Sequence, residues 1–209
     1  MIDRILVVLS LVAVLFWVPA CDNSADAQAV RTCWRDYNAA SNDLDGEKVA
    51  GMLSEASFAR YANLKNLALD ADANQVKVLS PWDQIEVLYM RAGLTRSQLS
   101  KLDARAFVIH AVNEGWWANE DAAMELGAVK IRKDVASAKV KDSVGDVTVE
   151  FVREDGKWKF DEPASDRYFT AFLSRVATRL NITETDLAVK LVDMEFGPQN
   201  HKKLFEPMR

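Results

Sequence analysis

Apolar and polar positions alternate with a period of two through residues 127–162. Val147, Val149 and Phe151 fall on one face, with Thr148 and Glu150 between them. Trp158 and Phe160 alternate with Lys157, Lys159 and Asp161. This period marks strands with one buried and one wetter face. Glu154-Asp155-Gly156-Lys157 is a tight hairpin signal, and Ser143-Val144-Gly145-Asp146 is a looser turn. Residues 128–132 and 135–140 read as two further strands. Pro163 closes the run, because it has no N–H to give a ladder. Such a sheet needs a helical cover for its apolar face.

The remaining chain has the three-to-four spacing of amphipathic helices. From about residue 29, Val30, Cys33, Trp34, Tyr37 and Ala40 form one buried stripe, which stops near residues 42–46. Residues 47–70 form a second helical stretch with a break near 54–57. Ser80 and Pro81 start a helix as N-cap and first residue; its inner side is Ile85, Leu88 and Tyr89, and it ends at Gly93. Thr95-Arg96-Ser97-Gln98 has the form of a capping box. Residues 102–117 read as a longer helix and 119–126 as a brief one. After the sheet, Phe169, Phe172, Leu173, Val176 and Leu180 mark an amphipathic helix over 166–180. Thr183 then caps a last helix that runs to about Phe196, where Gly197-Pro198 stops it. The expected fold is α+β: N-terminal helices packed on an antiparallel sheet of about four strands at 128–162, followed by two C-terminal helices. One domain spans 29–197, and 198–209 is a loose, mildly basic tail.

The length of 209 residues suits one such domain plus a leader. The net charge is −5, and no basic stripe is interleaved with aromatics, so nucleic acid is not an expected partner. Two cysteines and two histidines lack metal-ligand spacing, and neither metal nor cofactor is expected. The chain has no Gly-x-Ser-x-Gly, Cys-x-x-Cys, P-loop or dinucleotide fingerprint.

The leader carries the most information about location. Asp3 and Arg4 precede an uncharged run from Ile5 to Ala20, which is shorter than a membrane-spanning helix and suits the apolar core of an export signal. The run ends in Val18-Pro19-Ala20-Cys21 and the polar Asp22-Asn23-Ser24. It resembles a bacterial lipoprotein signal peptide with its lipobox. The resemblance implies removal of residues 1–20, lipidation of Cys21, a lipidated tether over 21–28 and a domain facing the periplasm or exterior. Two other readings stay open: an uncleaved anchor helix, and a secreted protein with a Cys21–Cys33 disulfide.

At Gly145-Asp146-Val147-Thr148-Val149-Glu150-Phe151, followed by Asp155-Gly156-Lys157-Trp158-Lys159-Phe160, the chain resembles the nuclear-transport-factor-2-like superfamily. That resemblance implies a strongly curved sheet wrapped into a cone around a helix, or an elaboration of it with added helices. It does not decide function, since the superfamily holds both isomerases or dehydratases and non-enzymatic binding modules.

Candidate ligand-binding residues are Tyr61, Trp82, His110, Glu114, Trp116 and Trp117. His110 and Glu114 are four residues apart, as a general base and its carboxylate are on a helix, though this is also ordinary helix-surface spacing. Trp116 and Trp117 point about 100° apart on a helix, so one is available to line a pocket or meet a partner. The reading taken forward is a membrane-anchored envelope lipoprotein, held by Cys21, whose non-catalytic domain binds a protein partner or a small apolar ligand. The alternative is a pocket enzyme of the isomerase or dehydratase kind that uses His110 and a carboxylate. A homodimer is compatible with either.

Overall fold

The computed structural model describes residues 24–116, 125–140 and 146–209. Among them are ten helices and one four-stranded antiparallel sheet, so the class is α+β. Cys21, Trp117, the leader and most of the expected helix over 119–126 lie outside the described residues.

The first helix, α1 (Ala25–Asn42), starts four residues earlier than its apolar stripe implies, because Ser24 accepts the Ala27 N–H as an N-cap. The stretch over 47–70 divides where expected, into α2 (Gly46–Met52) and α3 (Glu55–Asp70). Leu53 and Ser54 are extended at the break, and the Ser54 N–H donates to the Phe160 carbonyl at 3.0 Å, tying the helix junction to the sheet. A short α4 (Ala73–Lys77), closed by a capping box from Asp72 and Gln75, is an addition to the expected helices. The capping signals at Ser80 and Thr95 open α5 (Pro81–Gly93) and α6 (Arg96–Lys101). The helix expected over 102–117 is the shorter α7 (Ala104–Asn113), capped by Asp103, and the chain turns at Gly115 with φ of 82°.

The strands are β1 (Lys130–Arg132), β2 (Val135–Val140), β3 (Val147–Glu154) and β4 (Lys157–Phe160), in spatial order 1-2-3-4. Asp155 and Gly156 both take positive φ in the tight turn between β3 and β4. Ala136, Phe151 and Phe160 lie side by side across the sheet. On that face Trp34 of α1 meets Phe151 and Phe160 edge-on, with ring centroids 6.1 and 5.4 Å away. The opposite face is crossed by α8 (Glu162–Leu180), and the Ser165 hydroxyl accepts the Glu150 N–H at 2.9 Å. The last helices are α9 (Glu184–Phe196) and α10 (His201–Leu204). Among the described residues, seven helices therefore precede the sheet and three follow it, rather than the two expected after it.

Residues 198–209 pack instead of trailing loosely. Leu204 and Phe205 are buried, and the Met208 N–H donates to the Leu69 carbonyl at 3.2 Å. The tail is held by Arg91, a buried side chain of α5. Its guanidinium donates to the carbonyls of Ala68, Leu67 and Ala71 at the end of α3, and to that of Leu204. Carbonyls left over at a helix end attract a cation. Burial still lowers the Arg91 pKa to about 10.

Candidate functional site

His110, Glu114 and Trp116, three of the candidate residues, come together at one surface groove of about 510 Å³. α7 supplies His110 and the turn after it supplies Glu114 and Trp116. The end of α5 forms one wall, and Glu195, Phe196 and Gln199 close the other side. Trp116 and Phe196 lie in its floor, but the surface the groove exposes is mainly polar. Trp116 meets Phe196, Tyr89 and the His110 ring edge-on, at 5.2, 6.4 and 5.7 Å between centroids. The rim is polar, with Glu114, Glu195 and Gln98.

Gly93 makes the floor possible. A Cβ there would lie 2.2 Å from Trp116 Cζ2 and 2.9 Å from Phe196 Cε1. The helix therefore ends on glycine so that an indole can lie against its backbone; the φ of Gly93 is not positive. Gly93→Ala is expected to destabilise the domain by about 1–3 kcal/mol, as forced overpacking does. It should also shift the tryptophan fluorescence maximum of the native state. An unchanged urea midpoint would mean that Trp116 can lie elsewhere.

The side chains of His110 and Glu114 share no hydrogen bond or ion pair among the described residues; only their backbones join, Glu114 N–H to the His110 carbonyl at 3.0 Å. A base oriented by a carboxylate is thus not assembled there. Trp82 is elsewhere, half-buried and stacked on Phe169 at 5.1 Å. Tyr61 is a core residue at 1 % exposure, with its hydroxyl donating to Glu162 Oε1 at 3.1 Å.

Tyr61 belongs to a second constellation, a buried charged cluster where α3, α5 and the first turn of α8 meet. Arg60 donates to Asp83 Oδ1 at 2.6 Å and lies 4.0 Å from Glu162 Oε2. The Ser57 hydroxyl accepts the Glu162 N–H at 3.2 Å, and Ser57 and Ser54 share a hydrogen bond at 3.0 Å. Glu86 and Glu162 are 2 % and 6 % exposed. Among the described residues, Arg60 Nη1, Glu86 Oε2 and Glu162 Oε2 have no hydrogen-bond partner.

Burial raises the Glu86 pKa to about 8; Arg60 opposes the shift, and Glu162 and Asp83 add to it. Burial also raises Glu162, against the pull of Arg60 and the Tyr61 hydroxyl. Burial works against the charge of Arg60, but the surrounding Tyr61, Glu86, Glu162 and Asp83 outweigh it and raise its pKa. Shifts of this kind occur at acid–base sites and in structural ion networks alike. Here Glu86 and Glu162 are buried while Asp83 keeps a part-exposed edge, and the cluster acts on the fold. Asp83 and Glu86 stand near the start of α5, and no local sequence signal places Arg60 and Glu162 beside them.

Cys33 is a free, buried thiol whose pKa burial raises to about 11, which keeps it protonated and unreactive. Among the described residues, no group of acidic, histidine and cysteine side chains has the arrangement of a metal site, and no helix is long and apolar enough to cross a membrane. Comparison with models of known protein families, with curated proteins and with solved structures finds no match for this chain.

Proposed function

We propose that this chain is a lipid-anchored protein of the bacterial cell envelope whose α+β domain binds a partner and performs no catalysis. The observation that carries the reading is the leader: an uncharged run from Ile5 to Ala20 that ends in Val18-Pro19-Ala20-Cys21, with the polar Asp22-Asn23-Ser24 behind it. Two or more acyl chains on Cys21 give stable membrane attachment. The binding element is the groove beside His110, Glu114 and Trp116. Trp116 and Phe196 within a mainly polar surface suit a protein segment, or a small ligand that hydrogen-bonds along most of its edge. The hairpin of β3 and β4 supports a distant likeness to the nuclear-transport-factor-2-like superfamily, in an elaborated form with added helices.

The test is mass spectrometry of the full chain extracted from membranes. The expected intact mass begins at Cys21 and includes acyl chains, and Cys21→Ala abolishes them. A chain that retains residues 1–20 without acylation overturns the lipid anchor in favour of the uncleaved anchor helix. Under native conditions, a bound molecule displaced by Trp116→Ala supports the groove. Turnover of a small molecule that disappears with His110→Ala would replace the binding reading with the pocket-enzyme one.

A further inference from the structure

The start of α1 is tied to one end of the sheet. Asp26, in its first turn, pairs with Arg153 of β3 at 2.5 Å. The Arg153 N–H donates to the carbonyl of Asp134 at 2.8 Å, and Asp134 lies in the turn between β1 and β2. Ser24 caps α1 only three residues after Cys21. Three residues reach at most roughly 10 Å. An acyl group on Cys21 therefore brings the β1–β2 turn close to the headgroup layer.

That hairpin is basic. Lys130, Arg132 and Lys133 fall within four residues and all are exposed. Among the described residues, none of the three has an ion-pair partner. The acid in the turn, Asp134, faces Arg153 at 4.0 Å, and Lys139 of β2 is paired with Asp146 at 3.4 Å. Glu154 and Asp155 lie at the same end, but in and beside the β3–β4 turn, two strand spacings or roughly 10 Å from β1. The Glu154 carboxylate there accepts the Glu55 N–H. Lysine on an edge strand also hinders strand addition, and β1 is an edge. That role needs a charge of either sign, and it does not explain three unpaired cations together in a chain of net charge −5.

We propose that Lys130, Arg132 and Lys133 form a second membrane contact that lays the β1–β2 hairpin on anionic phospholipid headgroups beside the anchor. The proposal rests on the lipid-anchor reading above. Each basic residue near an anionic surface strengthens association about fivefold, and the attraction acts within roughly 8 Å at physiological salt. The acyl chains hold the protein at the membrane, and the three cations set which side of the domain faces it.

The experiment places the chain purified from membranes with vesicles of phosphatidylcholine alone, or of phosphatidylcholine with phosphatidylglycerol. The readout is the rate at which a water-soluble reagent acylates each lysine. On phosphatidylglycerol, Lys130 and Lys133 are expected to react about tenfold more slowly than on phosphatidylcholine, with recovery in high salt. Lys65 and Lys203 serve as reference lysines whose rates do not change. Arg132→Gln keeps both reporters and is expected to remove about fivefold of the protection. Equal rates on the two vesicle types overturn the proposal. The mass of the same sample tests the anchor separately. An acylated chain without protection removes the hairpin contact and keeps the anchor, whereas protection of an unacylated chain keeps the contact and removes the anchor.

Discussion

Arg60→Met is expected to lower the stability of the domain by about 3–5 kcal/mol at neutral pH, read from urea unfolding. Arg60 lies among Asp83, Glu86 and Glu162 and bonds directly to Asp83. Methionine fills a similar volume but leaves Asp83 and the buried Glu162 carboxyl without their cation. Losing one partner of a buried ion pair costs far more than the intact pair contributes, because the remaining charge stays desolvated. The loss has a pH signature. Without Arg60 the folded-state pKa values of Glu86 and Glu162 rise further, so stability that is fully present below pH 4.5 goes on falling to a higher pH than in the parent. The gap to the parent should be smallest near pH 5 and should widen as pH rises toward and past about 8, where the parent ionises Glu86 and the variant holds its proton. A difference under about 1 kcal/mol at both ends would show that Arg60 does not hold the cluster.

Glu86→Gln is expected to have the opposite effect, stabilising the domain increasingly from pH 5 to pH 8. The Glu86 pKa rises from 4.5 to about 8 on folding. Between these values the folded state holds a proton that the unfolded state has released. Stability therefore falls by about 1.4 kcal/mol per pH unit on account of this one group. Its contribution is fully present below pH 4.5 and lost as pH rises through about 8. Glutamine keeps the shape and cannot ionise, so it removes this slope. Carboxyls shifted the other way, such as Asp26 and Asp193, are common to both chains and cancel in the comparison. Parallel profiles for parent and variant would mean that Glu86 does not titrate in this window. In the double variant, Glu86→Gln should restore part of what Arg60→Met removes, since the two residues share one network.

Local signals were read well because they are completed within a few residues. Ser80-Pro81, Thr95 to Gln98 and Thr183 to Asp186 all cap the helices they announce. The Asp155-Gly156 turn and the alternation on either side of it place β3 and β4. The groove was legible only in part. His110, Glu114 and Trp116 are near neighbours in sequence, but the wall that meets them comes from Gly93 and from Glu195, Phe196 and Gln199, about eighty residues further on. Gly93 is read correctly as a helix end, yet the close approach of Trp116 that requires it cannot be seen from its neighbours.

By itself, then, the sequence determined the α+β class, most helix starts, the strand alternation and the expectation of an anchored envelope protein. These depend on periodicity, capping and a contiguous leader, each of which acts over one or two turns of chain. Tertiary structure alone decided that Arg60, Glu86 and Glu162 share one buried cluster, that Arg91 gathers the end of α3 and the C-terminal tail, and that Asp26 holds the start of α1 to Arg153 at one end of the sheet. Desolvation and Coulomb forces at such sites depend on distance in space, and residues scattered from position 26 to position 204 carry no sequence pattern that records it.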